Sequence, residues 1–175
     1  MSTFEQKSFL ESSFPSSTFL PAICCDGRKM HAWADRGIID LPETGQGQKL
    51  YLYGDDILFL RCLVISSNAG LAPKAGIRRA SRPAIRGLEQ CIKRFSQNVI
   101  DDYEQDKPSG EIFAVYRIAG ESGGIDGEWQ LAYSRHEILQ APHIVENGVK
   151  AAPFWAVLSL SAILDDVQKK VWAAI

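Results

Sequence analysis

The chain has 175 residues, 46% hydrophobic and 23% charged, a globular composition with enough apolar side chains for one domain plus an extension, or for two small domains. No apolar run approaches the roughly 18 residues of a membrane span, and the start of the chain lacks a basic stretch followed by a continuous hydrophobic one, so a soluble, cytoplasmic protein without a membrane partner is expected. The net charge of −2 conceals a split: residues 26–94 carry 12 basic against 7 acidic side chains, and residues 95–175 carry 6 against 12, which suits a first part that meets a polyanion and a second with another task.

Residues 1–17 are Ser-rich, with Phe4, Phe9, Leu10 and Phe14 in no regular period, and read as a flexible N-terminal tail or packing arm. From Thr18, a candidate N-cap, a short helix carries Phe19, Leu20, Ala22 and Ile23, with Pro21 expected in its first turn. Asp26-Gly27 makes a turn, and Asp26 caps a second helix over 28–36 that Gly37 ends. An extended Ile38 to Leu41, a turn-rich Pro42 to Gln48 and an alternating Lys49-Leu50-Tyr51-Leu52-Tyr53 then predict a β-hairpin. Asp55 caps a helix over 56–69 that Gly70 stops, and a basic segment follows around Pro73. From Pro83 a helix to about Tyr103 places Ile85, Leu88, Ile92, Phe95 and Val99 on one stripe.

The acidic stretch from Asp101 to Gly110, with Pro108, is the candidate boundary between a first part at 18–105 and a C-terminal part at 111–175. In the latter, Ile112 to Ala119 and Trp129 to Tyr133 predict strands around a glycine-rich loop. Ser134 and Glu137 offer a capping box for a helix near Arg135 to Gln140. After a loop holding Pro142, Asn147-Gly148 and Pro153, a last helix is expected from Phe154 to Ala174. On it Val157, Leu160, Leu164, Val167 and Val171 fall on an a/d pattern that predicts a dimerisation seam, with packing inside the same chain as the alternative. The stripe from Ile85 to Val99 is a rival seam.

The order helix, tight turn, helix, β-wing, helix between Thr18 and Leu60 is that of a helix-turn-helix, whose second helix enters the major groove. Met30, Trp33 and Ala34 form the inward stripe of that helix, and Arg28, Lys29, His31, Ala32, Asp35 and Arg36 face outward or lie at its margins. Arg28 and Lys29 at the helix start oppose the macrodipole by about 0.3–1 kcal/mol, a cost that a phosphate or base acceptor would reverse.

Here Gly27-Arg28-Lys29-Met30-His31-Ala32-Trp33-Ala34-Asp35-Arg36-Gly37-Ile38-Ile39 resembles the turn, recognition helix and ending of MerR-like winged helix-turn-helix domains. Gln48-Lys49-Leu50-Tyr51 with Asp55-Asp56-Ile57 resembles their wing and next helix. The resemblance implies an α+β fold and binding of double-stranded DNA as a homodimer, with Arg28, Lys29, His31, Arg36, Gln48, Lys49 and Tyr51 as the contact residues. Transcription regulation is the leading expectation, and excisionase-type proteins share related domains. A protein-interaction or sensory module, with the C-terminal region binding a protein partner, is the alternative.

Other chemistry finds little support. Ser122 sits among glycines, but His31, His136 and His143 stand in no diagnostic relation to it, so no catalytic site is expected. Cys24, Cys25, Cys62 and Cys91 have no CxxC spacing and read as buried reduced thiols, and neither a metal nor a cofactor is expected.

Overall fold

The computed structural model describes residues 3–42, 48–69, 81–107, 110–118, 127–139, 144–146, 149–151 and 155–175. The fold is α+β. Helix α1 (Thr3–Glu11) and strand β1 (Ser13–Pro15) lead into α2 (Ser16–Ile23) and α3 (Gly27–Asp35). Strand β2 (Tyr51–Tyr53) runs directly into α4 (Gly54–Asn68), and α5 (Ser81–Glu104) follows. The C-terminal part contains β3 (Phe113–Ile118), β4 (Gly127–Ala132), α6 (Arg135–Leu139), β5 (Ile144–Glu146), β6 (Val149–Ala151), β7 (Trp155–Ser159) and α7 (Leu160–Trp172). Among the described residues no helix is long and apolar enough to cross a membrane.

The expected N-terminal tail is instead part of the core. Phe9 is 0% and Phe14 2% exposed. Their rings stack 5.2 Å apart, and Trp172 meets Phe14 edge-on at 5.2 Å. The apolar residues of this segment show no single period because the chain passes from helix to strand at Ser12, dividing Phe9 and Phe14 between two geometries.

That segment also takes the place of the predicted hairpin partner. β2 pairs antiparallel with β1, in the register Ser13↔Tyr53, Phe14↔Leu52 and Pro15↔Tyr51, and the central pair points inward. Residues 38–41 are not a strand. Gly37 takes φ 63°, and a Schellman ending forms as Gly37 N donates to Ala34 O and Ile38 N to Trp33 O. This sends the chain off with Ile39 buried rather than into a ladder with 49–53. Alternation along 49–53 marks a strand with one buried face; it does not name the partner.

α4 is central, packing against α1, α2, α5 and α7. Ile57, Leu58, Leu60, Cys62, Leu63 and Val64 are all buried, so its apolar surface runs around much of the helix. Its first residue has to be glycine: a Cβ on Gly54 would lie 2.2 Å from the backbone oxygen of Phe9. α5 buries the predicted stripe Ile85, Leu88, Ile92, Phe95 and Val99 within the chain, which rules out those side chains as a seam between subunits. Its end occupies part of the expected linker: Asp106 takes φ 52°, with Lys107 N donating to Asp102 O and Asp106 N to Tyr103 O.

β3 is the middle strand of an antiparallel sheet ordered β4-β3-β7. Alternation sends Ala114, Tyr116, Trp129 and Leu158 into the main core, while Phe113, Val115 and Ala132 form a small cluster on the other face, joined by Ile138. α6 starts with the predicted cap: Glu137 N donates to Ser134 Oγ, and Glu137 Oε2 accepts from Tyr133 N. β5 and β6 pair where a loop was expected.

The predicted last helix is divided, because 155–159 form β7 and only 160–172 are helical. Val157 therefore lies on a strand, 41% exposed, while Leu160, Leu164, Val167 and Val171 are each 0% exposed. α7 packs on α4, α2 and α1. The predicted dimerisation seam is an internal contact: an a/d stripe records that a face is covered, and here the covering surface is the same chain. The two expected domains accordingly share one apolar cluster, running from Phe9 and Phe19 through Leu63 and Phe95 to Ile112 and Leu164. The turn at 43–47, Gly70, the segment around Pro73, Pro108, the glycine loop with Ser122, Pro142, His143, Asn147-Gly148 and Pro153-Phe154 lie outside the described residues.

Candidate nucleic-acid interface

Two short helices separated by three residues form the centre of the candidate site. α2 begins at Ser16, two residues before the expected cap, so Thr18 is buried inside it and Pro21 falls in its last turn. It ends on a non-glycine left-handed residue: Cys24 takes φ 56°, with Cys24 N donating to Pro21 O and Cys25 N to Leu20 O. A Cβ in that region costs roughly 1–2 kcal/mol, so tertiary contacts have to hold the turn. Arg61 supplies one. Its Nη1 reaches across from α4 to Ile23 O at 3.1 Å, and Asp166 of α7 lies 3.7 Å from its other terminal nitrogen. The sequence signal for this anchor was a lone cation inside the apolar run 57–64, since a charge on a buried helix needs a partner.

α3 starts as the sequence predicts. Asp26 Oδ1 accepts from Lys29 N at 2.6 Å, and Met30 and Trp33 are buried. With about 100° between successive residues, their shared direction leaves Arg28, His31 and Asp35 on the opposite face, and all three are exposed. Lys29 lies at the margin with its ammonium 5.0 Å from the centre of the Trp33 ring, a cation–π contact that holds the stem along the helix. Arg36 is exposed at the C-cap, aimed by the Schellman turn that follows.

Gln48, Lys49 and Tyr51 are exposed on a different element. The segment containing them is fixed to the start of α2, where Ser16 N donates to Leu50 O at 2.9 Å. α3 departs from the other end. The eight residues of α2 rise about 1.5 Å each, so the two groups of predicted residues attach about 12 Å apart along one helix. Tyr53 was not singled out as a contact residue. It is 57% exposed beside Tyr51 at 51%, and strand alternation places both on the face that carries Lys49. The strand gives the ribbon Lys49, Tyr51 and Tyr53 outward over Leu50 and Leu52 inward, which the 49–53 alternation already contained.

No protein-family model matches the chain, and no curated protein matches it.

Proposed function

We propose that this chain is a sequence-specific DNA-binding protein that regulates transcription in the cytoplasm, using a MerR-like helix-turn-helix in which the β1–β2 ribbon replaces the hairpin wing. The observation that carries the reading is the division of α3: Met30 and Trp33 inward, Arg28 and His31 outward, three residues after α2. In this reading α3 lies in the major groove, where Arg28 and His31 reach base edges and Arg36 the flanking phosphates. Lys49 contributes a point charge to the backbone, with Gln48, Tyr51 and Tyr53 offering polar groups beside it. The basic excess of 26–94 supplies the long-range attraction.

The test is retention of genomic DNA fragments by the purified protein over a salt series. Binding should fall steeply as salt rises, because each neutralised phosphate releases counterions. Arg28→Ala should weaken selected sequences by about 1–3 kcal/mol, whereas Lys49→Ala should weaken all sequences alike and lower the salt slope by about 1. Absence of retention at low salt overturns the proposal, as does unchanged binding by Arg28→Ala, Arg36→Ala and Lys49→Ala together.

A further inference from the structure

On the side of the molecule formed by α1 and α7 a groove of about 400 Å³ is lined by Phe4, Glu5, Ser8, Gln168, Lys169 and Trp172. Two of these are among the large apolar side chains most open to water, Phe4 at 60% and Trp172 at 41% exposure. Neither is loose. Phe4 leans on Tyr103 with ring centres 6.0 Å apart, and Trp172 is held by Phe14. Gln168, which lines the same groove, is 0% exposed, and among the described residues neither its Nε2 nor its Oε1 has a hydrogen-bond partner.

A buried primary amide with both ends unmatched is unusual, because each group has lost water and gained nothing. An amide offers an acceptor and donors side by side, an arrangement that pairs with two adjacent polar atoms on the edge of a flat ring. The Gln168 side chain lines the groove and turns about three torsions, so a change of rotamer brings the amide to the groove and the broad terminal torsion then sets which end faces the ligand. The aromatic side chains supply flat apolar walls, and the volume suits a small molecule.

We infer that the α1–α7 groove is a binding site for a flat, uncharged heteroaromatic molecule carrying a lactam edge. Its N–H donates to Gln168 Oε1, its C=O accepts from Gln168 Nε2, and its ring lies between Phe4 and Trp172. The site is independent of the DNA-binding reading: it uses α1 and α7, and no residue assigned to DNA.

The probe is 2-quinolinone, compared with its N-methyl derivative, titrated into the full chain by calorimetry. Quinolinone should bind saturably, and the N-methyl compound, which lacks the donor, about tenfold more weakly. Gln168→Leu keeps the volume and removes the amide; it should abolish the difference between the two probes. Phe4→Ala, a change at an exposed position, should weaken both. No saturation by about 1 mM quinolinone overturns the site. Equal affinity for the two probes, or discrimination that survives in Gln168→Leu, overturns the role of the amide. Should Gln168→Leu fail to fold, the comparison of the two probes on the unaltered chain together with Phe4→Ala still decides.

Discussion

At the scale of single residues, burial separates the four cysteines into two kinds. Burial pushes the Cys62 thiol up to about 12 and Cys91 to about 11, while Cys24 is exposed and Cys25 half-buried. The sequence reading made all four buried. It erred at Cys24 and Cys25, because a helix-ending turn must face out whatever residues occupy it. A thiol reagent at pH 8 should therefore label Cys24 first in the folded protein and reach Cys62 and Cys91 only after denaturation; rapid labelling of Cys62 would contradict the packing of α4. The same shifts have a stability consequence. The unfolded chain releases these protons near pH 8.5 and the folded chain holds them to higher pH, so their contribution is complete below pH 8.5 and is lost as pH rises towards 12. Gly54 permits a sharper test. Gly54→Ala drives a methyl group into the backbone of α1, and the urea midpoint should fall by an amount worth about 1–3 kcal/mol or more.

Secondary-structure elements were legible where their own periodicity defined them. α3 with its Asp26 cap, the α5 stripe and the capping of α6 follow from residues within a turn or two of each other, and the β3–β4 pair from two apolar runs joined by one glycine-rich connection. What the sequence left open was partnership between distant elements. Nothing local says that β2 pairs with 13–15 rather than 38–41, or that the α7 stripe meets α4 of its own chain. For the candidate site, the outward face of α3 could be read and its distance from Lys49 could not, because that distance is set by Ser16 N on Leu50 O. The reassignment of α7 reverses a prediction. Leu164→Glu should unfold the chain rather than separate a dimer, since it buries an unpaired carboxylate at a 0% exposed site, a change costing about 4 kcal/mol or more. Circular dichroism and light scattering distinguish the outcomes: a well-folded Leu164→Glu monomer produced from a wild-type dimer would restore the seam.

For the whole molecule, the charge split had suggested two units joined by a linker, and charge describes the surface alone. The apolar cluster ignores that division. Leu160, Leu164, Val167 and Val171 fill space beside α2 and α4, so a fragment ending at 107 should leave those faces bare. It should show no cooperative thermal transition, whereas the full chain melts once. A fragment that melted cooperatively would establish an independent domain within 1–107.

The contact between α1 and α7 also has a meaning in time. Gln6 Nε2 donates to Asp165 Oδ1 at 3.0 Å across 159 positions, which places a helix synthesised early against one synthesised late. Because a chain emerges from its N-terminus, α1, α2 and α4 are in the open before their covering helix exists. The core is therefore finished only once residues 160–172 have emerged from the ribosome, and until then the apolar side of α4 is the surface that a chaperone would meet.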